Sequence, residues 1–120
     1  MENTTLQSAM NQAYKSYKVA AKKRNLEFSL TKNEFHAIVK QNCHYCGSEP
    51  SMIKKSNAIH REVIPYTHNG IDRKDNLMGY SLDNSLPCCS ICNHAKHTLN
   101  YDEFKEWIIK ASDYIKQCDK

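Results

Sequence analysis

Two CxxC pairs, Cys43-His44-Tyr45-Cys46 and Cys89-Ser90-Ile91-Cys92, stand at the two ends of a long insert. Two thiolates separated by two residues can grip one tetrahedral ion, and two such pairs complete a four-thiolate zinc site. Such a clasp would tie the base of everything between the pairs. It leaves no coordination position for water, so this zinc is expected to scaffold and not to catalyse. Gly47, just after the first pair, permits the positive φ of a tight knuckle turn. Cys88 has the wrong spacing to Cys92 for a knuckle and reads as a packed thiol. Cys118, beside the apolar stripe of the last helix, reads as a free thiol.

The clasp matters because the chain is short. A single domain of 120 residues hides only about two thirds of its unfolded surface. The N-terminal residues Glu2, Asn3, Thr4 and Thr5 are polar, so no secretory signal is expected and CxxC spacing favours metal over disulfide. A cytoplasmic location is expected. No apolar run approaches the ~20 residues that span a bilayer, so no membrane association is expected. The formal charge is +4, from 17 basic and 13 acidic residues, a mild bias towards polyanions.

Leu6, Met10, Ala13, Tyr17 and Ala21 mark one face of an amphipathic helix over about residues 5–24. Lys15, Lys18, Lys22 and Lys23 fall on its other faces, as a solvated surface or as phosphate contacts. Asn25 ends it. Thr31 and Glu34 have capping-box spacing, and Phe35, Ile38 and Val39 give the second helix a core face. Residues 48–62 read as an irregular loop, with a helical turn near 56–61. Val63, Ile64 and Tyr66 suggest a strand interrupted by Pro65. Asn69-Gly70 is a turn signal, after which Ile71-Asp72-Arg73 reads as a second strand. Met78-Gly79-Tyr80 is expected to return alongside. A short helix is expected from Asn93 to about Lys96. Asn100 with Glu103 then starts a last helix over about residues 101–117, with Phe104, Trp107, Ile108, Ala111 and Ile115 on its apolar stripe.

Asp72-Arg73, Gly79-Tyr80, Asn84, Pro87-Cys88-Cys89, Cys92-Asn93 and Lys96 together resemble the HNH nuclease family. The likeness is to its phage and prophage group with the Asn-Gly-Ile-Asp-Arg motif, and it is tightest over about residues 43–96. The resemblance implies an α+β fold: a zinc-stapled ββα-metal core over about residues 43–98, flanked by N- and C-terminal helices in one domain. By that resemblance Asp72 and Asn93 ligate a catalytic divalent cation, and Asn84 braces the hairpin. The cofactors implied are structural Zn²⁺ and catalytic Mg²⁺ or Mn²⁺, since carboxylate, amide and phosphate oxygens are hard donors. The partner implied is DNA, double-stranded, cut by phosphodiester hydrolysis in a bacterial or phage-infected cell; a homodimer is left open. Lys96, Lys74, Lys18, Lys22 and Lys23 are the expected nucleic-acid contacts.

The sequence departs from the family at Arg73, where most HNH enzymes carry the general-base histidine. Arginine stays protonated and cannot accept a proton from water. It can clamp phosphate or stabilise developing negative charge. His68 and His97 are the candidate replacements for the base, and His97, four residues after Asn93, is also a candidate third metal ligand. Two rival readings follow: a zinc-braced nucleic-acid-binding module without hydrolysis, and a structural zinc domain for a protein partner.

Overall fold

The computed structural model describes residues 5–54 and 65–119. The first helix, α1, spans Thr5–Lys23. Its small residues Ala9, Ala13 and Ala21 are buried, and Met10, Tyr14 and Tyr17 flank them against the core. Alanine at three core positions lets the helix lie close to its neighbours. Asn25 takes φ +60° and Leu26 N–H bonds back to Ala21 O at 2.8 Å, so the helix ends where the asparagine predicts. The second helix, α2 (Lys32–Val39), opens with the complete Thr31–Glu34 capping box. Phe35, Ile38 and Val39 are all buried, and Tyr14 packs edge-on to Phe35.

The strands differ from expectation. β1 (Met52–Lys54) pairs antiparallel with β2 (Tyr66–His68), so a strand stands where an irregular loop was expected. β3 (Gly70–Arg73) pairs antiparallel with β4 (Ser85–Cys88), placing Asp72 opposite Leu86 and Arg73 opposite Ser85. Asn69-Gly70 is therefore no hairpin tip: β2 and β3 adjoin in sequence but belong to different two-stranded sheets. Asn69 is buried, its N–H bonded to Val39 O at 2.6 Å and its amide to Gln41 O at 2.9 Å. Met78-Gly79-Tyr80 does not return along β3. Tyr80 instead bridges Phe28, and a Cβ on Gly79 would lie 2.2 Å from Glu27 O, an approach only glycine allows. The expected turn near 56–61 and the Val63-Ile64 segment lie outside the described residues.

β4 leads into α3 (Ser90–Lys96). This helix begins before Asn93 because Cys89 caps it, its Sγ accepting from Cys92 N–H at 3.4 Å. The last helix, α4 (Tyr101–Cys118), has the Asn100–Glu103 capping box. Of its apolar stripe only Phe104 is fully buried; Trp107 is 51% and Ile115 57% exposed.

Candidate active site and zinc clasp

The sulfur atoms of Cys43, Cys46, Cys89 and Cys92 all lie within 4.8 Å of one another. Tetrahedral zinc with Zn–S bonds of about 2.3 Å would hold such atoms about 3.8 Å apart, so the four thiols fit that ion. Cys46 and Cys89 already stand at 3.6 Å. Hydrogen bonds from the Ser48 side chain and then its backbone hold the Cys46 thiol down at about 6, which makes a thiolate available at neutral pH. Gly47 adopts φ +77° and its N–H bonds Cys43 O at 2.9 Å, closing the knuckle. Cys88 stays outside the cluster, buried, with burial foremost in pushing its thiol up. Cys118 is exposed.

Above this clasp β3 delivers Asp72, 5% exposed. Both carboxylate oxygens are engaged. Tyr45, inside the first knuckle, donates its phenol to Oδ2 at 2.6 Å. Lys96, at the end of α3, places Nζ 3.1 Å from Oδ1. Lys96 is 1% exposed, and its ammonium also donates to Arg73 O at 3.2 Å and lies 3.5 Å from Asn76 Oδ1. The Tyr45 ring stands edge-on to Phe104 at 4.8 Å. Burial, then the bond to Asp72, pushes the Tyr45 phenol well above its usual range. Tyr45 is a site residue that the motif does not mark. Lys96, expected at a phosphate, is instead buried against Asp72. A signal for Lys96 exists in the sequence: it lies four residues after Cys92, on the same helix face.

Asn84 ties the segment that joins β3 to β4. Its Oδ1 accepts from Asp75 N–H at 2.9 Å. Its amide donates to Asp75 O at 3.1 Å and to Gly79 O at 2.9 Å. Arg73 serves the same loop. It donates to Asn76 O at 2.7 Å and to Met78 O at 2.6 Å, and its guanidinium lies 5.5 Å from the Tyr80 ring centre. A group held by two carbonyls and a ring is turned towards the loop, not towards a phosphate.

The remaining candidates stand outside β3. Asn93 sits within α3 and is exposed. His97 is the C-cap of α3 at φ +48°, so the helix stops where a one-turn spacing from Asn93 would need it to continue. His68 is buried on β2, stacked on Tyr66, in the sheet that lacks Asp72. Lys18, Lys22 and Lys23 are exposed along α1, and Lys74 is half-buried.

Among the described residues the only cluster of three or more His, Cys, Asp or Glu side chains able to hold a metal is the four cysteines. Asp72 and Asn93 have hard-donor chemistry. Lys96 is the counter-ion of that buried carboxylate, so a second cation on Asp72 would have to compete with its ammonium.

The fold and clasp define a class: a mixed α+β chain whose helices flank a small β-hairpin and helix, with four thiols set to hold zinc. It is similar to the rare-cutting HNH restriction endonuclease PacI, with a TM-score of 0.58 and 25% identity, over 85% of this chain and 78% of that one. The chain is also 41% identical over 103 residues to uncharacterized protein R423 of Acanthamoeba polyphaga mimivirus. That match takes in 86% of this chain but spans only 17% of the viral protein. No protein-family model matches.

Proposed function

We propose that this chain is a metal-dependent DNA endonuclease of HNH type, phage- or prophage-related, acting on double-stranded DNA. One observation carries the reading. In a fold similar to an HNH restriction endonuclease, the buried Asp72 stands between the zinc knuckle and α3. Mg²⁺ or Mn²⁺ is the cofactor this reading calls for, with Asp72 and Asn93 as its protein ligands. The lysines Lys18, Lys22 and Lys23 would meet phosphates along α1, and Lys74 beside the hairpin. A homodimer would set two sites against two strands, and the exposed Trp107, Tyr114 and Ile115 of α4 support it; light scattering tests it. Arg73 cannot be the base and acts here as a clamp on the loop. His97 is the better candidate for the base because it is exposed, whereas His68 is buried on the other sheet.

The test is incubation of the zinc-loaded protein and supercoiled plasmid with Mg²⁺ or Mn²⁺. Nicked or linear DNA that disappears with Asp72→Asn supports the reading; cleavage that survives that substitution overturns it. A second reading, a zinc-braced DNA-binding module without hydrolysis, is favoured by the engagement of both Asp72 oxygens. Salt-sensitive binding without cleavage under any divalent ion would select it.

A further inference from the structure

Lys96 is an unusual lysine. Its whole side chain is buried, and its ammonium faces three acceptors, Asp72 Oδ1, Arg73 O and Asn76 Oδ1. Lysine has three donors and no acceptor, so this set saturates it. Asn76 is itself fixed, its amide donating to Thr98 O at 2.9 Å and Leu99 O at 3.2 Å. The ammonium is thus seated by loop and main chain and is not a free surface charge. On the far oxygen, Tyr45 donates at 2.6 Å.

We propose that Lys96 is the resident counter-ion of Asp72 and closes that carboxylate to a divalent cation, so that metal entry and the Lys96–Asp72 pair exclude one another. The proposal rests on the reading of Asp72 as the active-site carboxylate. A carboxylate offers about four lone-pair positions, so the exclusion is electrostatic more than steric. A hard cation sits about 2.1 Å from a carboxylate oxygen. On Asp72 it would stand within a few ångströms of the ammonium, both shielded from water, and like charges at that separation repel strongly. Lys96 must leave its three acceptors, or the cation must stay out. Weak intrinsic metal affinity is then a built-in property of the site.

Mn²⁺ titration of the full zinc-loaded chain, followed by electron paramagnetic resonance, tests this. The quantity read is the binding that Asp72→Asn removes. Lys96→Met keeps the stem and deletes the charge, and Lys96→Gln keeps a donor for Arg73 O. Both variants are expected to tighten Mn²⁺ binding about tenfold or more. Equal or weaker affinity, or no Asp72-dependent binding in any form, overturns the proposal. Should both variants misfold, the wild-type chain decides. Lys96, shielded from an acylating reagent without metal, should become modified at saturating Mn²⁺, as read by mass spectrometry; continued protection overturns the proposal. Plasmid cleavage is scored separately. Asp72-dependent cleavage without tighter variants sinks the counter-ion role alone, and tighter variants without cleavage sink the nuclease reading alone.

Discussion

Tyr45 and Asp72, 27 residues apart in sequence, meet in a hydrogen bond of 2.6 Å. The bond joins the zinc knuckle to the strand bearing the buried carboxylate, so the clasp and the candidate active site form one structure. Tyr45→Phe removes the donor and leaves Oδ2 buried. A loss of about 1–3 kcal/mol in denaturant-derived stability is expected. No loss would mean that water replaces the phenol without cost.

The tyrosines also set an alkaline limit. Burial is the foremost cause raising the phenols of Tyr17, Tyr45 and Tyr66. A phenol with a higher folded than unfolded pKa contributes stability that is whole below the unfolded value, about 10, and fades as pH climbs through the folded one. Thermal unfolding followed by circular dichroism should show falling stability above about pH 10, less steeply in Tyr45→Phe.

The zinc clasp has the opposite dependence. Without the ion the four thiols are pulled in opposite directions, Cys46 held down by Ser48 and Cys89 and Cys92 pushed up chiefly by burial. Zinc binding needs all four as thiolates. Protons compete with zinc for the four sulfurs, so zinc release, read with a chromogenic chelator, should increase as pH falls. Stripping the zinc, or Cys89→Ser, should abolish the cooperative unfolding transition, because structural zinc contributes folding free energy directly. A cooperative transition at unchanged temperature in the stripped chain would contradict this.

Asn84 and Arg73 hold the loop between β3 and β4 by side chain-to-backbone bonds, three from Asn84 and two from Arg73. Asn84→Ala is expected to cost about 2–4 kcal/mol, and Arg73→His about 1–3 kcal/mol. If Arg73→His instead leaves stability unchanged, the guanidinium is free and the clamp is wrong.

Local devices are legible in the sequence. The Thr31 and Asn100 caps bond within one turn, so residue identity at fixed spacing suffices to predict them. The cysteine clasp is legible because CxxC spacing is dictated by the ion. Partners chosen by tertiary packing are not. β1 pairs with a strand across a long connection, and Asn69-Gly70, a strong local turn signal, is overruled by the bonds from Asn69 to Val39 and Gln41. Tyr45 finds Asp72, and Arg73 finds the loop carbonyls, by the same long-range logic. Strand parity gives the face a side chain takes but not what waits there.

On α1, Lys18, Lys22 and Lys23 are exposed. Replacing all three by alanine should reduce the salt dependence of DNA binding by about one unit of slope for each phosphate that a lysine had neutralised. Fluorescence anisotropy at several salt concentrations checks it, and an unchanged slope would remove α1 from the interface.

The most direct measurement is conversion of supercoiled plasmid by the zinc-loaded chain in Mg²⁺ or Mn²⁺, with wild type and Asp72→Asn side by side. Nicked or linear product from the wild type, and a loss of at least about a hundredfold with Asp72→Asn, is the predicted result. Equal cleavage by both proteins, or none by either under conditions where the zinc is bound and the chain folded, would contradict it.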